Sequence, residues 1–551
     1  MEKPTVFVRR ASGIVRSASP TDAMMFNYNS VNLGYTLFLC MMVLTLPGAI
    51  LVGSLILTIL LIVPFLLVYA FFTAIMPRSG GDYVFVSRTM RRVFSWGPLL
   101  GFMGNASVWL AEIIFLAIQS LWVPTIYMSS AFATLGYLTG NTIFISWAHL
   151  LTTPRFSLVI ALIVIIGIGL TMLPGIKFHL RFQWLLWIVG MLGAIISILV
   201  LWSVFLGGGH NAFVNAFNEF ALRHMGPDAY NQILVSLEKD FNFTAMPPDP
   251  RWTLFATGAL FTSFGYAYFS TYYAGEIREA NLVKNQIYSM FTPVFLILVV
   301  TLLIIIPLQS IAGSVFLGGT QLISLIAAES WPLPVMPSVF FFIGLLIENP
   351  ILNIIVQISG VAWNLLICAI LFPMLTRCIF AWSFDRVFPE KLAAVDTRFH
   401  SPYAAVIFIT ILAGFLATLF TFWREATELA YIAVYGASGI MIVTAFLFVS
   451  IAAILFPFVM KDIYQVSPVS KYKVGKFPLM SIVGVASTAV MLMFAYMYFT
   501  IPELGIAASP MAQLIVATTI IVATVVYLIA KVVQRFRGID LSIVYAQIPP
   551  E

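Results

Sequence analysis

The stretch FNYNSVNLG, Phe26–Gly34, interrupts a segment that is otherwise apolar enough to cross a membrane. It holds three asparagines, a serine and a glycine, and asparagine and glycine are weak helix formers. In lipid every backbone polar group needs a partner, so a broken helix persists only where it lines a cavity. The stretch therefore predicts a broken helix that faces a binding cavity. The alternative is that these side chains form hydrogen bonds across a helix interface, as polar groups in spans often do.

Composition identifies the bilayer as the main solvent of this chain. The 551 residues are 61% hydrophobic and 9% charged, with a mean hydropathy of +1.01, whereas soluble domains carry about 25% charged residues. The first 20 residues are basic but lack a signal peptide's apolar core, so we expect the first span to be retained as an anchor. The three cysteines lie in or beside apolar segments, and we expect no disulfide.

Twelve segments have the length and apolar character of a membrane span, which takes about 20 residues. They cover roughly residues 23–46, 50–75, 98–128, 156–174, 183–206, 253–273, 286–308, 350–376, 403–422, 428–456, 479–500 and 511–532. The longest loop contains NAFVNAFNEFALRHM, residues 211–225, which is loosely amphipathic and favours a helix on the membrane surface.

The distribution of positive charge orients these spans. With the N-terminus inside, 23 of the 28 Lys and Arg lie on the cytoplasmic side, including Lys3, Arg9 and Arg10. This asymmetry fits the positive-inside rule. We therefore predict a multi-pass protein of the cell (plasma) membrane with both termini cytoplasmic, and the formal net charge of +6 does not indicate nucleic-acid binding. The five on the other side are Arg155, Arg223, Lys239, Arg251 and Arg424.

A second break is expected five helices after the first. Transporters built from two inverted halves place discontinuous helices at matching positions, near the middle of the membrane. The sixth span reads LFATGALFTSFGYAYFSTYYAGE, residues 254–276, with Thr262, Ser263 and Gly265 among small and aromatic residues. Spans 1 and 6 would then be the first helices of two five-helix repeats.

Three stretches resemble one family, the amino acid–polyamine–organocation permeases, over nearly the whole chain. MPRSGGDYVFVSR, Met76–Arg88, is similar to the family's Pro-Arg-Ser-Gly-Gly-x-Tyr signature after span 2. TRCIFAWSFDRVFPEKLAAVDTRFHSPYAAV, Thr376–Val406, resembles the loop after span 8, and YYAGEIREANLVKNQ, Tyr272–Gln286, resembles the glutamate-bearing end of span 6. The chain departs from the family at Arg278–Asn281, where Asn-Pro usually follows the glutamate, and in its asparagine-rich span 1.

The resemblance, with the spans, implies an all-α membrane protein with a LeuT-like fold: two inverted five-helix repeats plus two C-terminal helices, with helices 1 and 6 discontinuous. The predicted division of the chain is a cytoplasmic N-terminal segment 1–22, helices 1–5 in 23–206, an extracellular loop 207–252, helices 6–10 in 253–456, a cytoplasmic loop 457–478, helices 11–12 in 479–532 and a cytoplasmic tail 533–551.

The two breaks predict the substrate site of an amino acid or related amine. Backbone N–H groups around Ser30–Gly34, where a half-helix begins, would hold the α-carboxylate, since helix N-termini favour anions. Free carbonyls near Phe26–Asn29 and Thr262–Gly265 would meet the amino group. The resemblance places an aromatic gate on span 6, and packing aromatics remain the alternative for each candidate. The predicted substrate-binding residues are Phe26, Asn27, Asn29, Ser30, Asn32, Gly34, Thr262, Ser263, Phe264, Gly265, Tyr266 and Tyr268.

Glu112 is the acidic residue predicted to carry a coupling proton. It lies near the middle of span 3, in NASVWLAEIIFLAIQSLW, where a charged acid costs about 2.5–3.5 kcal/mol or more. Two alternatives are that it stays protonated and bonds a neighbouring helix, or that it pairs with a cationic substrate. Span 5 lacks the lysine that some proton-coupled relatives carry, so a sodium site near spans 1 and 8 stays possible. Arg78, Arg377 and Asp385 are predicted to form an inner gate, with capping of span ends as the alternative.

These patterns favour a secondary active transporter, and within that class a proton symporter, over other membrane proteins. An exchanger of amino acids or polyamines is the alternative, and a nontransporting sensor on the same fold is a more remote one. No Walker-type phosphate loop and no metal-binding His or Cys spacing occurs in the sequence, so we expect no enzyme activity, cofactor or metal. A channel would carry a repeated filter or rings of charge, which the sequence lacks. The sequence does not predict the oligomeric state.

Overall fold

The computed structural model describes residues 12–326, 330–333 and 335–549, and these are mostly helical. The predicted segments 1–22 and 533–551 extend beyond the described residues, and Lys3, Arg9 and Arg10 lie outside them. The first eleven helices are α1 Pro20–Val31, α2 Leu33–Val43, α3 Leu51–Ile75, α4 Asp82–Val93, α5 Gly97–Trp122, α6 Ser129–Thr139, α7 Thr142–Thr152, α8 Pro154–Met172, α9 Ile176–Leu206, α10 His210–Met225 and α11 Ala229–Phe241.

The remaining elements follow the long loop after α9. The helices are α12 Pro250–Phe264, α13 Val283–Ala312, α14 Ser314–Ile326, α15 Val339–Leu345, α16 Pro350–Phe384, α17 Tyr403–Phe422, α18 Arg424–Tyr431, α19 Ser438–Val459, α20 Lys461–Val466, α21 Leu479–Thr500, α22 Pro510–Phe536 and α23 Leu541–Val544. A short hairpin pairs two strands of two residues each, β1 Lys473–Val474 and β2 Phe477–Pro478, in antiparallel register.

Ten helical stretches in the described residues are long and apolar enough to cross a membrane. They coincide with ten of the predicted spans, and two of them are continuous through short π-helical segments, Val123–Met128 and Ile432–Ala437. Large apolar side chains on these helices are exposed, as expected of faces that contact lipid; Leu199 and Ile411 are 66% and 68% exposed. The protein is therefore a multi-pass membrane protein.

The other two predicted spans, 23–46 and 253–273, are the two that carry the predicted breaks. The first consists of α1 and α2 with a single residue, Asn32, between them. In the second, α12 ends at Phe264, and the chain continues through turns and two 3-10 segments, Phe269–Tyr272 and Ala274–Glu276. The two short or interrupted helices thus lie where the sequence placed them.

The longest connection contains the predicted amphipathic helix. Residues 211–225 do form a helix, α10, but its aromatic face is buried in protein: Phe213 and Phe217 are fully buried, with ring centroids 5.7 and 4.9 Å from Phe316 of α14. The apolar face of this helix therefore packs on protein. The helix has an apolar face, as its sequence pattern indicates. That face packs against α14, a helix that the span prediction left out.

Candidate functional site

Asn32 makes the first break. Its backbone φ is +60°, in the range that favours glycine, and it both ends α1 and begins α2. Its side-chain Oδ1 accepts the backbone N–H of Tyr35 at 3.0 Å, and its Nδ2 donates to the carbonyl of Trp363 on α16 at 2.8 Å. An N-cap satisfies a helix N–H that has no partner within the helix. The third asparagine of the stretch thus separates two half-helices and anchors the junction to α16.

Asn27 and Ser263 join the first break to the second. Asn27 Nδ2 donates to Ser270 Oγ and to the carbonyl of Ser289, both at 2.9 Å, while its Oδ1 accepts the Ser270 N–H at 2.8 Å. Ser263 Oγ donates to the carbonyl of Val31 at 2.8 Å, at the end of α1. Two side chains predicted for the site therefore hold the interrupted parts of both helices together.

The other predicted residues of the first break, Phe26, Asn29 and Ser30, also have defined partners. Ser30 Oγ donates to the carbonyl of Phe26 at 2.9 Å, and the Phe26 ring meets Tyr273 edge-on at 4.8 Å between centroids. Asn29 Nδ2 contacts Gln183 Oε1 of α9 at 3.3 Å. All three side chains are buried.

A cavity of about 1010 Å³ opens beside α2 and reaches down to Gly34. A Cβ at Gly34 would lie 2.8 Å from the Cβ of Trp363, so the glycine allows α2 and α16 to approach closely here. The cavity wall is largely aromatic and apolar. Its residues include Phe38, Met41, Trp122, Tyr127, Trp331, Phe340, Tyr431 and Tyr435.

Glu112 lies in the protein interior and contacts the second break. It is 1% exposed, and its Oε1 accepts the Tyr266 hydroxyl at 2.6 Å. Its Oε2 has no hydrogen-bond partner among the described residues. A buried acid with one oxygen unpaired is costly when charged.

Tyr266 is the one member of the predicted aromatic gate that contacts another predicted site residue. Tyr268 packs among Tyr69 and Phe446, with centroids 4.2 and 5.1 Å away, and its hydroxyl meets that of Tyr272 at 3.0 Å. The remaining span-6 candidates have local roles: Thr262 Oγ1 donates to the carbonyl of Ala259, Phe264 is fully buried as the last residue of α12, and Gly265 is the C-cap of that helix. None of Phe264, Tyr266 and Tyr268 lines the large cavity.

Two buried ion pairs lie at the end of the molecule where Ser12 and Pro549 line one small cavity; we call this end the terminal face. Arg377 donates to both carboxylate oxygens of Glu276, from Nε at 2.7 Å and from Nη2 at 3.0 Å. Arg88 donates to both oxygens of Asp385, at 2.6 and 2.8 Å. All four side chains are at most 2% exposed. Bidentate pairs of this kind fix geometry as well as contribute energy.

The predicted gate residues thus have specific partners. Arg377 and Asp385 belong to separate pairs, and Arg78 donates from Nε to the carbonyl of Pro549 at 2.7 Å. Glu276 and Arg88 were not predicted as site residues, although both lie within the stretches that carry the family resemblance. Their charge within those stretches was the available signal, but the partner of Glu276 is 101 residues away and that of Arg88 is 297 residues away.

The signature loop packs against the second break. Gly80 has φ +99°, and a Cβ there would lie 2.5 Å from the Cβ of Ala381 on α16. The Gly80 N–H donates to the carbonyl of Tyr272 at 3.0 Å. Only glycine combines this backbone conformation with this close approach, which explains a glycine at this point of the motif.

Asp82 is a further buried acid, at the start of α4 and outside the spans. Asn105 Nδ2 and the Tyr83 N–H donate to its Oδ1 at 2.7 and 3.0 Å. Burial raises the pKa of Asp82 to about 7, although the hydrogen bond from Asn105 acts in the opposite direction. The folded protein therefore holds a proton on this group that the unfolded chain would release above the ordinary pKa of 3.8.

That difference predicts a pH-dependent stability. Because the folded state binds more protons here, the free energy of unfolding should fall as pH rises from about 4 to about 7. In Asp82→Asn this part of the dependence should vanish. Melting temperatures of both proteins in detergent, measured across this pH range, check the prediction. If the melting temperatures of the two proteins depend on pH in the same way, the prediction is contradicted.

Substitution of Asn32 separates its two roles at the break. Asn32→Gly keeps the positive φ accessible but removes the cap and the bond to Trp363, whereas Asn32→Ala also forces a strained backbone. We expect Asn32→Ala to be less stable than Asn32→Gly by about 1 kcal/mol, the cost of a left-handed conformation for a residue with a Cβ. Thermal unfolding of both variants in detergent checks the order. Equal melting temperatures would mean that the backbone is not strained at this residue.

The described residues contain no group of three or more His, Cys, Asp or Glu side chains able to hold a metal ion. The family model described as Amino acid permease matches residues 20–530, a range that includes both breaks, the signature loop and both buried ion pairs. No curated protein is similar enough to the chain to count as a match. The chain is therefore a member of the amino acid permease family, within the amino acid–polyamine–organocation superfamily.

Proposed function

We propose that this permease is a secondary active transporter that moves an amino acid or a related amine across the plasma membrane by alternating access. One observation carries the proposal: a large cavity reaches the break at Gly34 from one face, while two buried ion pairs close the terminal face. A transporter needs both features, a central site and a path that is open on one side at a time. With both termini cytoplasmic, as the charge distribution favours, this is an outward-facing arrangement.

The proposed fold is LeuT-like, with twelve membrane helices in two inverted five-helix repeats plus two C-terminal helices. The ten long helices supply ten members, and α1 with α2, and α12 with the turns after it, would supply helices 1 and 6. The direct bonds between these two segments, such as Ser263 to the Val31 carbonyl, support a common site at their junction.

The substrate would bind at the two helix breaks. The first-turn N–H groups of α2, at Leu33 and Gly34, are suited to the α-carboxylate, because the first N–H groups of a helix lack partners within it and its N-terminus favours anions. Carbonyls at the end of α1 would accept from the ammonium group. The aromatic wall of the cavity, including Phe38 and Trp122, would cover apolar parts of a substrate or a cation.

The proposed coupling ion is a proton carried by Glu112. Tyr266 connects this carboxyl to the segment that follows α12, so a change in protonation would alter a bond to helix 6. Sodium coupling and substrate exchange are the alternatives, and they differ in what drives uptake.

Flux into proteoliposomes tests the proposal. Amino acids, polyamines and decarboxylated amino acids are first screened for those that raise the melting temperature, because ligands of the folded state stabilise it. The ligands found are then offered under an acid-outside pH gradient, a sodium gradient, or internal unlabelled substrate alone. Uptake under the pH gradient supports proton symport. Uptake driven by sodium would instead indicate sodium symport. Uptake that requires internal substrate would indicate exchange. Binding without any flux would indicate a sensor.

A further inference from the structure

The chain after the last span returns to the terminal face and buries part of its length there. After α22 the backbone turns at Gly538, with φ +76°, and α23 follows. Asp540 caps α23 by accepting the N–H and the hydroxyl of Ser542, both at 2.8 Å, and these bonds hold the pKa of Asp540 below its ordinary value. Leu541, Val544 and Tyr545 are each at most 2% exposed. Three side chains of this segment, Leu541–Pro549, are thus anchored in the protein interior, while Ile543, Ala546 and Gln547 are exposed.

The segment binds Arg88 of the Asp385 ion pair and Arg78 of the signature stretch. The guanidinium of Arg88 lies 5.0 Å from the centre of the Tyr545 ring, and its Nε donates to the carbonyl of Gln547 at 3.3 Å. Arg78 Nε donates to the carbonyl of Pro549 at 2.7 Å. The two tail carbonyls therefore accept from the two arginines of the signature stretch.

Tyr545 also reaches the acidic partner. Its hydroxyl lies 3.0 Å from that of Tyr83, which donates to Asp385 Oδ2 at 2.8 Å. Tyr545 thus contacts the cation directly and the carboxylate through one intermediate hydroxyl. A side chain in this position fixes the orientation of both members of the pair.

The tail accepts the Nε–H of the buried arginine. Arg88 has five N–H donors; its Nη groups bond Asp385 and Ser87, and its Nε bonds the tail carbonyl of Gln547. Without the tail, the Nε and one face of a fully buried cation would lose their partners, and an unsatisfied buried charged group is strongly destabilising. The closed terminal face is therefore stabilised by the tail as well as by the ion pair.

We propose that Leu541–Pro549 is a strap that holds the terminal face closed, and that Tyr545 is the positioning residue of the Arg88–Asp385 pair. The proposal rests on the proposed function, in which the terminal face must open once per transport cycle. Release of the strap from Arg78 and Arg88 precedes that opening. Weakening the strap therefore shifts the protein toward a state open at the terminal face.

Two native thiols report the two sides of the molecule. Cys378 is buried on α16, next to Arg377 and about two turns before Asp385 at the C-cap of that helix, and Cys40 is buried on α2 next to Met41 of the large cavity. With Cys368→Ala throughout, one series keeps only Cys378 and a second keeps only Cys40. The rate of N-ethylmaleimide labelling is then measured in the full chain without substrate, for Tyr545→Ala, for Tyr545→Phe and for a chain that ends at Ala546.

Tyr545→Ala should raise labelling of Cys378 about tenfold, as expected from the loss of a desolvated cation–π contact, and should leave labelling of Cys40 unchanged or lower. Tyr545→Phe keeps the ring and should show a smaller rise. The chain ending at Ala546 keeps Tyr545 but lacks both tail carbonyls, and it should again raise labelling of Cys378 alone. Tyr496→Ala, at a residue 67% exposed on α21, serves as the control with no expected effect.

Unchanged labelling of Cys378 in both Tyr545→Ala and the shortened chain would overturn the proposal. So would an equal rise at Cys378 and Cys40, since that result indicates general unfolding. Labelling needs no transport, so its outcome does not depend on the proposed function. A selective rise in Cys378 labelling, in a protein that shows no flux, would support the strap proposal and contradict the transporter proposal.

Discussion

Uptake driven by an acid-outside pH gradient should fall about a hundredfold in Glu112→Gln, the lower end of what a positioned proton-transfer group contributes. Glutamine keeps the size of the side chain and its bond to Tyr266 but binds no exchangeable proton in this range. In the native protein one carboxylate oxygen is buried without a partner among the described residues, so its charged and neutral forms differ strongly in energy. The initial rate of uptake in proteoliposomes, with and without the gradient, is the measurement.

Two matched variants test whether the loss of uptake in Glu112→Gln is due to the loss of a titratable group. Glu112→Asp keeps a titratable group, displaced by one methylene, and should keep the pH dependence at reduced rate. Tyr266→Phe keeps the ring but removes the donor to Oε1, and it should shift the pH dependence without abolishing it. If Glu112→Gln transports with the wild-type pH dependence, the proton assignment is wrong. If it loses only cationic substrates, Glu112 is instead a partner of the substrate.

The local parts of this structure were predictable because their causes are local. The asparagines and the glycine of Phe26–Gly34 disfavour a helix by their own chemistry, and the chain breaks at Asn32. Ten predicted spans follow from runs of apolar residues that any long helix in lipid requires. Gly80, inside the signature that carries the family resemblance, has a positive φ.

The partners of the charged residues were not predictable, because contacts between helices depend on rotation and register. The sequence placed Arg377 and Asp385 together on one stretch, but each pairs with a residue on a different element. Of the three aromatics proposed for a gate, Tyr266 contacts Glu112, whereas Phe264 ends α12 and Tyr268 packs against Tyr69 and Phe446. The position of Tyr545 against Arg88 spans more than four hundred residues of sequence, and no local pattern predicts it.

Removing one member of the Arg377–Glu276 pair should produce the largest loss of stability of any substitution considered. Arg377→Met leaves Glu276 charged, 2% exposed and without its two strongest hydrogen bonds. Breaking a buried pair in this way costs about 3–5 kcal/mol, while replacing both partners by uncharged side chains is often close to neutral. The double variant Arg377→Met/Glu276→Gln should therefore regain most of the stability that the single variant loses.

Melting temperatures in detergent test whether Arg377 belongs to a buried gate or only caps its helix. The exposed ion pair Arg424–Glu428 serves as the reference. Arg424→Gln removes an arginine that is 82% exposed and paired with Glu428 at 3.0 Å, and such pairs contribute about 0.2–1 kcal/mol. If Arg377→Met costs no more than this reference, the pair is hydrated and does not close the terminal face. If the double variant melts near wild type yet transports poorly, the charges serve the transport cycle and not the fold. A buried ion pair adds little net stability over an uncharged pair of similar shape, so under the proposed function the pair would serve to break and re-form as this face opens and closes.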